Sequence, residues 1–214
     1  MKLRAVAAFI LAAFLLTACS GDGLVTLKYE NGRFVHAGQG LCYVPAEINY
    51  APTAMGEAYA YYKNGDITLY AIGDNDPALW LTENYAGGAT TVFHADSITL
   101  PTLTELQAEK IIVCLSADVN VAIMDITDAE TIRAVTELFM SGEECEWPLV
   151  DSTLRYDLKF ASSQWPQIYM ALIYGEFPEG KFLYERASGR CVEVGDLLDS
   201  YFHPQSETNG EAAS

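Results

Sequence analysis

Four cysteines, Cys42, Cys114, Cys145 and Cys191, are spread along the body of this chain. An even number suits two disulfides if the chain works in an oxidising compartment, and three connectivities are open. If the two halves of the chain close separately, Cys42–Cys114 and Cys145–Cys191 is the natural pairing; four buried thiols are the other reading. None shows CxxC spacing, which argues against a zinc site or dithiol redox chemistry. Asp74 and Asp76, in Gly73-Asp74-Asn75-Asp76-Pro77, resemble the start of an oxygen-ligand calcium loop. Leu79 and Tyr85 then stand where such a loop needs glycine and glutamate. They are weak metal candidates at most, and a tight turn whose aspartates bond their own backbone fits the segment better. Gly175-Glu176-Phe177-Pro178-Glu179-Gly180-Lys181 has the spacing of a phosphate-cradling loop. Phe182 occupies the place of the magnesium-binding hydroxyl, and the residues after it read as strand rather than helix. His36, His94 and His203 lack metal-ligand spacing, and no serine sits in a nucleophile elbow. Cys114 follows Ile111-Ile112-Val113, an apolar setting that disfavours a thiolate. Paired carboxylates, for which 29 acidic residues offer many combinations, are the one hydrolytic chemistry left open. No cofactor is implied.

The first 18 residues are a separate matter. Lys2 and Arg4 precede the unbroken apolar run Ala5 to Leu16, which is too short to span a bilayer and has the dimensions of a removable export signal. The run ends in Leu16-Thr17-Ala18-Cys19. This resembles the lipobox of bacterial lipoprotein precursors. The resemblance implies that Cys19 receives a diacylglyceryl group, that a dedicated peptidase cuts before it, and that residues 1–18 are lost. Two acyl chains give stable anchoring where one does not. Residues 19–23 form the lipidated tether, and its four residues after Cys19 extend at most about 14 Å, so the body sits near the lipid surface. The expected location is the extracytoplasmic face of a bacterial membrane.

What must position any site is a strand-rich body. Asn31-Gly32 and Asn64-Gly65 each divide two apolar-rich runs, the signature of tight hairpins. Further strands are expected at 90–94, 97–100, 110–115 and 119–126. Thr127 and Glu130 have capping-box spacing, and Ala129, Ile132, Val135, Leu138 and Phe139 recur at helical period before Ser141-Gly142. Leu154, Tyr156, Leu158 and Phe160 alternate, predicting a strand with one buried and one wet face. Strands at 167–174, 181–186 and 190–194 and a short helix at 196–201 complete the pattern. The expected fold class is therefore α+β: mostly antiparallel strands, one clear amphipathic helix at about 127–141 and a short C-terminal helix. Residues 24–203 read as a single domain, with an all-strand half (24–100) and a β-β-α-β-β-β-β-α half (109–203). Residues 204–214 read as a disordered tail. In general pattern this body looks like the small lipid-anchored α+β domains of bacteria, a similarity that transfers no activity.

Loss of the leader takes away Lys2 and Arg4 but none of the 29 acidic residues, deepening the formal charge from −17 to −19. Such a surface repels nucleic acid and anionic lipid headgroups, so attachment falls to the acyl chains. Trp80, Trp147, Trp165 and the tyrosine-rich 58–70 hairpin supply either core packing or a stacking platform. The function expected is a lipid-anchored extracytoplasmic binding protein without an evident catalytic motif, its partner an envelope protein in preference to a small molecule. A carboxylate-dependent hydrolase, possibly glycan-directed, and a metal-binding envelope protein are the alternatives.

Overall fold

The computed structural model describes residues 23–36, 38–47, 49–52, 55–83, 91–115 and 118–204. The leader, Cys19 and the tail from 205 onward lie outside them. In chain order the strands are β1 (Val25–Thr26), β2 (Lys28–Glu30), β3 (Arg33–His36), β4 (Leu41–Pro45), β5 (Tyr50–Pro52), β6 (Met55–Tyr62), β7 (Ile67–Ile72), β8 (Trp80–Glu83), β9 (Val92–Ala95), β10 (Lys110–Leu115) and β11 (Asp118–Ile126). After helix α1 (Ala129–Ser141) come β12 (Leu154–Ala161), β13 (Ile168–Phe177), β14 (Gly180–Tyr184), β15 (Cys191–Glu193) and the single turn α2 (Asp199–Phe202).

The first sheet runs β1-β6-β7-β8-β9-β4-β3-β2. Its two ends belong to one stretch of chain, residues 25–30, split at Leu27. β1 pairs parallel with β6, the Leu27 amide donates to the Tyr61 carbonyl at 2.9 Å, and β2 pairs antiparallel with β3. The sheet thus closes into a small barrel of seven staves. Each stave sends one side chain inward: Leu27, Phe34, Tyr43, Ala60, Leu69, Leu81 and Phe93 form a separate apolar core. Asn31 and Gly32, at φ 52° and 80°, make the two-residue turn that the sequence announced. At the second hairpin Tyr62 pairs with Ile67, so Asn64-Gly65 lies within a four-residue turn, 3-10 helix at 63–65 followed by left-handed Asp66 (φ 52°), and not in a two-residue turn.

The second sheet runs β11-β10-β12-β13-β14-β15, antiparallel throughout, with β5 alongside the first residues of β13. One face carries the main core: Ile111, Val113, Leu158, Phe160, Leu172 and Tyr174 lie under Ile132, Val135 and Phe139 of α1. The loop residues Leu100, Leu103 and Leu106 cover the same core.

This architecture overturns the α+β expectation. Among the described residues the fold is β-rich, 47% strand and 12% helical, with two sheets and one helix of seven residues or more. The helix is a cover on a sheet, not a layer of its own, and 196–201 yields only the four residues of α2. Ser97–Leu100 is not a strand; Ile98 and Leu100 pack against the core from a loop, and Pro101 brings no amide to a ladder. The cap of α1 is Asp128, whose carboxylate accepts from the Thr131 amide and hydroxyl, both at 2.8 Å, so the box at Thr127 is displaced by one residue. Gly142 ends the helix in extended geometry (φ −65°), not left-handed.

The wet face expected of β12 is also corrected. Asp157 and Lys159 are 1% and 6% exposed. Asp157 is held by Arg186 at 3.0 Å, and the Lys159 ammonium lies 5.1 Å from the Tyr169 ring centre. A cation from the turn after β14 and an aromatic ring on β13 make that burial tolerable.

Candidate functional site: a clamped apolar tip

The segment after α1 brings together several residues that the sequence leaves far apart. A helix ends with carbonyls that have no partner within it. Here Arg190, 51 residues further on, supplies one: its Nε donates to the Phe139 carbonyl at 2.8 Å and Nη2 to the Gly142 carbonyl at 2.7 Å. Nη1 bonds Glu144 Oε2 at 3.1 Å, and the guanidinium sits 5.7 Å from the Phe139 ring centre. The acidic run Glu143, Glu144 and Glu146, unfavourable beside the negative end of a helix, is thereby offset by a planar cation in the same place.

From there the chain lies against β15. Glu144 pairs with Val192 in an isolated antiparallel bridge, and the Cys145 amide donates to the Cys191 carbonyl at 3.0 Å. Cys145 and Cys191 join Phe177, Phe182, Tyr184 and Trp147 in a third apolar cluster. Trp147 meets Phe177 edge-on at 4.9 Å and Tyr184 at 5.1 Å. It lies so close over Gly175 that a Cβ there would come within 2.6 Å of its ring. Gly175 is thus a strand residue under an indole, not the start of a phosphate loop; the turn of that hairpin is Pro178-Glu179. Beyond the indole, Leu149 is fully exposed (101%) and Val150 is 51% exposed. The result is an apolar tip above an anchored aromatic base, with Glu143, Glu144, Glu146 and Asp151 around it in sequence.

Two other places carry polar groups. Glu176 Oε1 accepts from the Tyr174 hydroxyl at 2.6 Å and lies 2.7 Å from His203 Nε2. Burial, with Glu176 next, pushes the Tyr174 phenol well above its ordinary range. Nearby, Lys181 bonds Asp199 at 2.5 Å and Asp196 at 3.1 Å. Separately, an open groove of about 250 Å³ runs between α1 and the 103–109 loop, lined by Leu103, Gln107, Glu109, Ile132, Arg133 and Glu137 among others.

Cys19 lies outside the described residues. Cys42 is half-buried on β4, Cys114 is buried on β10 in the other sheet, and no bond joins their sulfurs. Cys145 and Cys191 are brought to 3.5 Å, sulfur to sulfur. No two cysteine sulfurs among the described residues are at disulfide bonding distance. Asp74 and Asp76 belong to a turn that joins the barrel to the second sheet: Asp76 Oδ1 accepts from the Ala78 amide, and the Asp74 amide donates to Gln167 Oε1. Gly73 (φ 51°) faces that glutamine with no room for a Cβ. His94 is buried against Trp80, which meets Trp165 edge-on. The Trp80–Trp165 pair is therefore packing at the join of the two sheets, not a stacking platform. Sequence reasoning missed Arg190 altogether; its only local signal is an arginine next to Cys191.

Comparison with protein-family models, with curated proteins and with solved structures gives no significant match for this chain.

Proposed function

We propose that this chain is a lipid-anchored extracytoplasmic interaction protein that docks an envelope protein through the 147–151 tip. The carrying observation is Leu149, entirely exposed on a segment whose base is clamped by Arg190 and Trp147. Exposed apolar area costs roughly 25 cal/mol per Å² in water, a cost recovered when a partner covers it. An ordered aromatic base spares that partner the entropy of fixing the segment. The acids beside the tip select a partner whose apolar pocket has a basic rim. Attachment to the membrane rests on the resemblance of residues 16–19 to a lipobox.

The test places a photo-reactive residue at position 149 in intact cells. A discrete protein adduct that disappears with Val150→Asp and Cys19→Ser supports the reading. An unlinked protein at 149, or a Cys19→Ser chain that still sediments with membranes, refutes docking or anchoring respectively. Small-molecule binding is the second reading, favoured by the groove beside α1. A thermal-shift response kept by the tip variants but removed by Ala108→Trp would move the function there.

A further inference from the structure

We infer that Cys145 and Cys191 form a disulfide in the oxidised protein, stapling the segment after α1 onto β15. The sulfurs are 3.5 Å apart, and the two residues sit opposite each other across antiparallel backbone, with the Cys145 amide on the Cys191 carbonyl. Opposed residues in such a pair have Cα atoms about 4.5 to 5.5 Å apart, inside the span that a disulfide bridges. Closing to the bonded length of about 2.05 Å is within the reach of side-chain rotation and a small backbone shift. The surroundings favour the bond as well. Cys191 is fully buried among Phe177, Phe182 and Tyr184, where a neutral disulfide is accommodated and a thiolate is not. Burial, with Cys145 and Glu144 beside it, pushes the Cys191 thiol up to about 12.

The chemistry is thiol–disulfide exchange. Half-buried Cys145 attacks an incoming disulfide of a small molecule or an oxidoreductase and releases one of its thiols. The neighbouring Cys191 thiol then attacks the Cys145 sulfur of the mixed disulfide, giving up its proton only as it reacts, and the departing second sulfur takes that proton as it leaves as a thiol. The incoming disulfide gains the two electrons and two protons lost by the cysteines. The staple closes a loop spanning 46 residues that contains β12, β13 and β14. It fixes the base under Trp147 whether or not the tip docks a partner.

The experiment equilibrates the purified full chain in an oxidised–reduced glutathione buffer, blocks free thiols, and maps peptides without reduction. A single cross-linked species joining the Cys145 and Cys191 peptides is expected. The oxidised chain should melt about 5 to 15 °C higher than the reduced one. Amides of residues 143–150 should exchange more slowly with the bond intact. Free labelling of both sulfurs at the oxidising end, a persistent glutathione adduct on Cys145, or a bond to Cys42 or Cys114 would overturn the inference. The wild-type map requires no variant. Cys145→Ala, at the less buried position, should abolish the melting difference between oxidised and reduced samples; persistence of that difference also counts against the staple.

Discussion

Arg190 grips Phe139 twice, its Nε on the carbonyl at 2.8 Å and its guanidinium 5.7 Å from the ring centre. One side chain therefore terminates α1 and packs on its last core residue. Arg190→Ala removes charge-assisted bonds to two helix-end carbonyls and should lower stability by about 2 to 3 kcal/mol, measured by chemical denaturation. Arg190→Lys keeps a charge but not the fork, and should fall between the two. Equal stability of all three would show that the clamp contributes nothing.

The Asp128 cap gives α1 an acid-sensitive end. Bonds from Thr131 hold this carboxyl below its ordinary value of 3.8. Its contribution is full above that value and fades as pH falls through the lower folded-state value. Asp128→Asn should keep most of the capping at neutral pH and flatten this part of the acid limb. Asp128→Ala should lower the melting temperature at pH 7. Melting curves between pH 2 and 7 decide it.

Alkaline behaviour should be dominated by buried phenols. Tyr43, Tyr50 and Tyr174 are all pushed well above the ordinary value of 10.0, burial being the largest cause. A raised folded-state value means a stabilising contribution complete below pH 10 and lost as pH rises towards the folded value. Tyrosinate absorbance should therefore leave at least three of the 13 tyrosines silent until the chain unfolds. Smooth ionisation of all 13 in a folded protein would contradict the burial.

Gly175 and Trp147 should be coupled. Gly175→Ala places a methyl 2.6 Å from the indole edge and 2.8 Å from the Phe177 ring, costing about 1 to 3 kcal/mol as overpacking. Trp147→Phe removes the nearest indole atoms, so the double variant should lose less than the sum of the singles. A double-mutant cycle with no favourable coupling would place the indole elsewhere.

Where short-range physics decides, the sequence was readable. Asn31-Gly32 tolerates positive φ at both positions, and its turn appears. The helical period of Ile132, Val135 and Phe139 matches the buried face of α1, and Lys110–Leu115 is a strand with the expected bounds. Thr127 lost its role because the neighbouring Asp128 offers a carboxylate to the same end of the helix. The α+β expectation fails because, among the described residues, a single amphipathic helix covers one sheet face while fifteen strands close two sheets around their own cores. Alternation in β12 suggested a wet face, but Arg186, 29 residues away, allows Asp157 to be buried. Arg190 was unreadable for a similar reason: which carbonyls it reaches depends on β15 lying beside the end of α1. Cys145–Cys191 belongs to the pairing expected of two halves that close separately; the antiparallel bridge at Glu144–Val192 is what sets the two residues opposite each other, whereas Cys42 and Cys114 fall in different sheets.

The split of residues 25–30 at Leu27 has a kinetic meaning. Half of that stave zips locally, onto residues only a few positions ahead, while the other half must wait for partners more than thirty residues downstream. The barrel is therefore completed at a seam, by whichever pairing arrives last. Parting that seam would bare two ladder margins at the same instant, each able to capture a foreign strand, so residues 25–30 act as the barrel's zip fastener against aggregation.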